Sequence, residues 1–221
     1  MAFDDDKLSR LLSVGRSLVT ELDPEAVLDR VLREARDITA ARYVALGVLN
    51  ESRDELERFV SLGFDAATHR EVGDLPRGRG VLGVLITDPK PLRVPDVGSD
   101  PRSYGFPAAH PEMHGFLGVP ILIRGEAWGN LYLTEKEGGS GQFTEEDEQA
   151  VVLLAGFAAT AIDNARLYHA VETRRLQLER AVLGLEAARD IADAVGASSA
   201  LDQIFELIVK RGRALIDARA V

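Results

Sequence analysis

The stretch from Phe116 to Thr134, FLGVPILIRGEAWGNLYLT, decides the fold. It contains two apolar runs of strand length, separated by the short polar turn Arg124-Gly125-Glu126. A short glycine-containing connection between two such runs is typical of an antiparallel hairpin. Further strands are predicted upstream at Tyr43–Leu49, Glu57–Leu62 and Leu92–Val94. The sequence therefore predicts one antiparallel sheet.

Helical periodicity surrounds these strands. Apolar residues between Leu8 and Val19 recur at helical spacing, and Asp23-Pro24 supplies the cap and first turn of a second amphipathic helix. A short apolar helix is predicted at Val81–Ile86, and the capping pattern Thr144–Asp147 opens a long closing helix. Helices, an antiparallel sheet and a closing helix predict an α+β domain.

The sheet of such a domain has two different faces. One face is predicted to pack against the terminal helices, and the other faces the loops and short helices between residues 66 and 115. A pocket among those loops and short helices is the predicted place for a ligand.

The closing helix continues beyond the predicted domain. Apolar residues recur at seven-residue spacing, at Val171, Leu178, Leu185 and Ala192. Such a heptad pattern with charged flanks favours a coiled coil and self-association.

The C-terminal part of the chain repeats the pattern of an earlier part without gaps. The repeat pairs Val27 with Ile204 and Val44 with Val221, so a second copy of the opening helix reaches only its first strand. We therefore predict a complete domain over residues 1–170, a helical linker over 171–192 and the truncated start of a second domain over 193–221. We expect the chain to be a piece of a longer tandem protein.

Composition and charge exclude several classes of function. The 221 residues include no Cys and four His, and their net charge is −10. Disulfides, thiolate metal sites and covalently attached pigments are thereby excluded. The negative net charge argues against a nucleic-acid partner. No apolar run approaches the roughly 20 residues of a membrane span. We expect a cytoplasmic protein with no membrane contact.

Catalytic signatures are also absent from the sequence. No GxSxG, HExxH, Walker or kinase motif occurs, and the acidic run Glu145–Glu148 is interpreted as a capped helix start. We expect no enzyme activity from this segment, so His and Tyr side chains become the candidates for a binding function.

His110 differs from the other histidines in its surroundings. Pro111 disfavours helical backbone at His110, and Pro107 stiffens the chain on the other side. Restricted freedom suits a side chain that must point one ring nitrogen at a metal. Four apolar neighbours are able to wall a flat hydrophobic cofactor: Phe106, Met113, Phe116 and Leu117. The alternative is a histidine that only caps a loop.

Side-chain alternation divides the second strand of the hairpin between the two faces. Leu131 and Leu133 are predicted to face the helices. The pocket face is predicted to carry Trp128, Asn130, Tyr132 and Thr134. A buried phenol needs a hydrogen-bond partner, so Tyr132 is either a ligand contact or a structural tyrosine. Gly47 marks either the close approach of a ligand or simple packing.

Two segments resemble the first GAF domain of the DevS/DosT haem sensor kinases: Phe106-Pro-Ala-Ala-His-Pro-Glu-Met113 and Gly129-Asn-Leu-Tyr-Leu-Thr-Glu-Lys136. Gly73–Gly83, Phe116–Pro120 and Asn164–Tyr168 resemble it as well. The resemblance covers about residues 8 to 170 and continues into the second GAF domain. The glycine and hairpin motifs occur in many GAF domains, whereas the His-Pro-x-Met loop combined with the strand tyrosine is more specific.

The resemblance implies a GAF fold that holds haem b without a covalent bond. It makes His110 the proximal iron ligand and Tyr132 the distal residue beside a bound gas or water. Gly47 stands where redox-responding members have glutamate and oxygen-binding members have glycine, which favours a gas-accessible haem edge. His114 departs from the family pattern, in which arginine is expected, and adds a second imidazole near the ligand loop.

The predicted function is a haem-based sensor of O2, CO, NO or redox state, acting as the input module of a two-component histidine kinase. The expected partners are a diatomic gas and a second copy of the chain, paired through the N- and C-terminal helices. Two alternatives stay open. One is a GAF domain that binds another small molecule, such as a cyclic nucleotide, and the other is a ligand-free dimerisation scaffold.

Overall fold

The computed structural model describes residues 5–64, 80–103, 111, 113–196, 205 and 208–210. Within them the helices are α1 (Asp5–Val19), α2 (Pro24–Thr39), α3 (Val81–Thr87) and α4 (Glu145–Gly196). The strands are β1 (Ala41–Leu49), β2 (Leu56–Leu62), β3 (Leu92–Val94), β4 (Phe116–Ile123) and β5 (Glu126–Lys136).

The five strands form one sheet in the order β2-β1-β5-β4-β3, and every neighbouring pair is antiparallel. The predicted α+β class is therefore confirmed. Arg124 and Gly125 both have positive φ, 55° and 84°, which is the conformation of a tight hairpin turn matched to strand twist. The predicted β4–β5 hairpin is thus present, and it puts β5 at the centre of the sheet.

Each face of the sheet carries its own apolar core. The first core packs α1, α2 and the first half of α4 against one face, and its fully buried members include Leu18, Val31, Leu131, Leu133 and Leu154. The second core covers the other face with Ala45, Val81, Leu85, Val94, Val97, Phe116 and Tyr132. The two-faced sheet expected from the sequence is the one observed.

Helix starts follow the predicted capping chemistry. The Asp23 carboxylate accepts a hydrogen bond from the Glu25 backbone N–H, with Pro24 in the first turn of α2. At the start of α4, Thr144 and Asp147 exchange hydrogen bonds between side chain and backbone, at 2.8 and 3.2 Å. Both predicted starts are confirmed.

Trp128 departs from the predicted alternation. The register of β5 against β4 moves from Gly129↔Ile121 to Ala127↔Leu122, so Trp128 is an extra residue at a β-bulge. The bulge turns its side chain to the helical face, where it packs against the first core. The prediction that Trp128 shares a face with Tyr132 is therefore wrong.

The chain separates into two compact units, Met1–Arg166 and Leu167–Val221, and the boundary falls within α4. In the second unit Val171, Leu178 and Leu185 are all exposed. The proposed start of a second domain lies largely outside the described residues.

One helix among the described residues, α4, is long and apolar enough over part of its length to cross a membrane. Half of that apolar stretch is buried inside the structure, as in the core helix of a globular domain. The feature is weak support for a membrane span.

Candidate ligand-binding site

Tyr132 lies at the centre of the face opposite the terminal helices. It is on the central strand, and only 3% of its surface is exposed. Its two cross-strand partners are small, Ala45 on β1 and Gly118 on β4. A Cβ atom at Gly118 would come within 2.9 Å of Leu85 Cδ1. The surface of the sheet around Tyr132 is therefore shallow, in that it carries only small side chains, and α3 approaches it closely.

Gly47 extends this shallow surface along β1. A Cβ atom at Gly47 would lie 2.7 Å from Leu56 Cδ2 and 3.2 Å from Tyr132 Cε2. Any side chain at this position would press on the tyrosine ring. Glycine here leaves room for the Tyr132 ring and for Leu56.

The Tyr132 hydroxyl makes only a weak hydrogen bond. Its Oη donates a long hydrogen bond of 3.4 Å to the Leu82 backbone oxygen, and its ring lies 6.1 Å from Phe116 and 6.2 Å from Phe59 between centroids. Burial raises the pKa of the phenol far above its ordinary value. Tyr132 is therefore a neutral hydrogen-bond donor inside the second apolar core.

The described residues that follow His110 are fastened to the strand that carries Tyr132. Met113 is buried, and its Sδ accepts a 3.1 Å hydrogen bond from Thr134 Oγ1. The His114 backbone N–H donates to the Glu135 carboxylate. The C-terminal side of the candidate ligand loop is thus anchored to β5, within three residues of the phenol. His110 and Phe106 themselves lie outside the described residues.

A family model for the GAF domain matches residues 21–163. The chain belongs to the GAF domain family. GAF domains are regulatory and sensory modules, and their regulatory character fits a segment with no catalytic signature.

Two solved GAF domains share the fold. The GAF domain of an Acinetobacter phosphoenolpyruvate-protein phosphotransferase superposes with a TM-score of 0.62 at 19% identity, covering 75% of this chain and 97% of its own. The corresponding domain from Coxiella burnetii has the same TM-score at 26% identity, with coverages of 74% and 96%.

A curated relative is larger than this chain. A probable 3′,5′-cyclic phosphodiesterase of Caenorhabditis elegans is 26% identical over 203 residues. The match covers 85% of this chain and 27% of the phosphodiesterase. The chain thus spans about a quarter of the length of that relative.

The predicted pocket wall of this GAF domain divides between the two faces of the sheet. Phe116 belongs to the second core, with Tyr132. Leu117 belongs to the first core, because consecutive strand residues point to opposite faces. Leu117 packs towards the terminal helices, so its assignment to the cofactor wall is wrong.

His114 is separate from the pocket. Its side chain is 65% exposed, and its Nδ1 lies 3.4 Å from the Asp96 carboxylate. Hydrogen bonds from Ser99 and then from His114 lower the pKa of Asp96. The second imidazole near the ligand loop is therefore a surface group.

Several pocket residues were not singled out from the sequence. Phe59, Leu82 and Leu85 pack in the same core as the phenol, although they are far from it in the chain. Leu56 lies beside Gly47. Asn130 was assigned to this face by alternation, but nothing in the sequence reveals that its amide is completely buried.

No cluster of three or more His, Asp or Glu side chains suited to a metal ion occurs among the described residues. Metal binding by several protein ligands thus has no support in that part of the chain.

Proposed function

We propose that this GAF domain is a haem-based sensor in which His110 is the proximal ligand of haem b and Tyr132 is the distal residue. The observation that carries the proposal is the neutral Tyr132 phenol, buried at the centre of a shallow, glycine-lined apolar face. The anchoring of the loop after His110 to the same strand adds support.

The described residues fit such a cofactor. A flat macrocycle needs an apolar surface without protruding side chains, and Ala45, Gly47 and Gly118 provide one beside Tyr132. Leu82 and Leu85 of α3 cover this surface, so their side chains would move outward to admit the macrocycle. The absence of Cys agrees with non-covalent binding.

Haem held by His110 would supply an iron able to bind a diatomic gas. Tyr132 would then donate a hydrogen bond to that gas. Its apolar surroundings exclude water, which strengthens that bond. The weak 3.4 Å bond to Leu82 is a small loss when the phenol turns towards a ligand.

A continuous set of contacts connects this pocket to the closing helix. Thr134 and Glu135 contact the residues after His110, and Lys136 pairs with Asp147 at the start of α4. A shift of β5 on ligand binding would therefore move the α4 cap. We propose this as the output route to a histidine kinase in the cytoplasm.

Self-association belongs to the same proposal. Val171, Leu178 and Leu185 are exposed at seven-residue spacing, as expected of a seam that a second copy covers. We propose a homodimer paired through its N- and C-terminal helices.

Reconstitution tests the cofactor. Purified chain is mixed with haemin, and absorption spectra are recorded in the ferric and ferrous states and under O2 and CO. A Soret band that shifts with each gas is the expected result. A spectrum identical to free haemin would contradict the proposal.

The similarity to a cyclic phosphodiesterase favours a cyclic nucleotide as the second candidate ligand. Within the described residues, the second core and Asn130 offer no Lys or Arg to balance a phosphate. A thermal shift with cyclic AMP or cyclic GMP, and none with haemin, would select this candidate. A shift with none of the three would favour the ligand-free scaffold.

A further inference from the structure

Asn130 is an unpartnered polar side chain in the middle of the sheet. None of its surface is exposed, and neither its Nδ2 nor its Oδ1 makes a hydrogen bond of normal geometry to any described residue. A buried amide without a partner loses its hydration and gains nothing in return. The fold alone gives no reason for an amide here.

The neighbours of Asn130 explain why it lacks a partner. It lies between Gly47 on β1 and Pro120 on β4, neither of which has a polar side chain. Alternation along β5 directs it to the same face as Tyr132, two residues away. Its amide therefore belongs to the otherwise apolar pocket.

The phenol and the amide are the natural partners of each other. The amide is near enough to offset part of the rise that burial causes in the pKa of Tyr132. The phenol hydroxyl itself donates the long hydrogen bond to the Leu82 oxygen. Both side chains are thus poorly satisfied in this arrangement.

We propose that Asn130 is a positioning residue for Tyr132: its Nδ2 donates to the phenol oxygen, so that the phenol proton is directed at the ligand in the pocket. A phenol that accepts one hydrogen bond is a stronger donor in the next, because hydrogen bonds in a chain polarise one another. This inference rests on the proposed haem-sensor function and assigns a determinant of gas selectivity within the same site.

The first test needs no cofactor. Asn130→Leu replaces the amide with an apolar side chain of similar size and removes the unpartnered polar atoms. We expect the thermal midpoint of the apo-protein to rise by several degrees. The midpoint should also rise when the same change is made in a Tyr132→Phe background. A lower midpoint there would overturn the inference, because it would show that the amide has a structural partner other than the phenol.

Thr39→Val is the matched control for that test. Thr39 is also buried, but its hydroxyl donates to the Ala35 carbonyl at 2.6 Å and lies on the helical side of the sheet. Thr39→Val should lower the thermal midpoint, because it removes a hydroxyl that has a hydrogen-bond partner. The control variant should leave gas release unchanged.

The second test separates positioning from structure. In the haem-loaded ferrous protein, Asn130→Leu should speed O2 release about three- to tenfold, which corresponds to a weakened phenol bond. In a Tyr132→Phe background the same change should have no further effect. An equal acceleration in both backgrounds, or none in either, would overturn the inference. Failure of the unaltered protein to take up haem would instead refute the proposed function.

Discussion

At the residue scale, the pocket depends on one phenol. Tyr132 is buried and neutral, and its bond to Leu82 is weak, so in the proposed sensor its proton would turn to a ligand of partial negative charge at small cost. Dioxygen is such a ligand when bound to ferrous haem, and carbon monoxide is a much poorer acceptor.

Tyr132→Phe should therefore affect the two gases differently. A hydrogen bond to a charged acceptor is worth about 1.5–3 kcal/mol, so O2 release should become about 10 to 100 times faster. Release of CO should change little, and the Soret band should remain. Flash photolysis and stopped-flow mixing measure both rates. A parallel change for the two gases would contradict the assigned role.

Gly47 should tolerate no side chain without cost. In Gly47→Ala the new methyl group would meet Leu56 and the Tyr132 ring. Because Leu56 can partly rotate away, we expect a loss of about 1 kcal/mol in the free energy of unfolding, measured by urea titration. Gly156→Ala in α4 has nothing within 4 Å and should add about 0.5–1 kcal/mol. A stabilised Gly47→Ala variant would show that the face is not tightly filled.

Strand alternation predicts which residues share a face only while the register is regular. It correctly places Leu131 and Tyr132 on opposite faces. The bulge, however, turns the Trp128 side chain to the face opposite the predicted one. Leu117 and Phe116 are both apolar neighbours of His110 in the sequence, but consecutive residues of a strand point to opposite faces. Burial of the Asn130 amide depends on contacts that no local pattern encodes.

At the element scale, the start of α4 is bonded to the end of β5. Asp147 is almost fully buried and accepts hydrogen bonds from Lys136 and Thr144. Burial alone raises the pKa of the Asp147 carboxyl, but these hydrogen bonds outweigh it, and the pKa lies below its ordinary value. The stabilisation is therefore present above the ordinary pKa of 3.8 and is lost as the pH falls through the lower folded value.

Asp147→Asn should consequently destabilise the domain at neutral pH. We expect a loss of about 1–2 kcal/mol, from the cap and the ion pair together. The difference in stability from the unaltered protein should narrow below about pH 4, because the Asp147 carboxyl of the unaltered protein then becomes neutral like the amide. Denaturant titration at several pH values measures this difference in the free energy of unfolding. Glu145→Gln, in the same turn, is the control. A gap that is independent of pH would rule out the charge as its source.

The elements were largely predictable because their signals are local. Caps at Asp23 and Thr144, the Arg124-Gly125 turn and alternating apolar runs are readable over a few residues. The strand order requires β1 to lie beside β5, which is a pairing between distant segments. No local pattern predicts this pairing, because the two strands are far apart in the chain.

At the scale of the whole molecule, the second unit should control assembly. Leu178→Glu and Leu185→Glu put charges into the proposed helical seam, so the double variant should sediment as a monomer. Leu176→Glu changes an exposed leucine of the same helix outside the seven-residue repeat and should leave a dimer. Analytical ultracentrifugation distinguishes these outcomes. A dimer that survives the double variant would place the interface elsewhere.

The most direct test of the central proposal is the Soret band of a His110→Gly variant. The variant should lose the Soret band of the reconstituted ferrous protein, and added imidazole should restore the band by replacing the missing ring. His114→Gly and His169→Gly remove exposed imidazoles and should keep the native spectrum. An unchanged Soret band in His110→Gly would contradict haem ligation by His110.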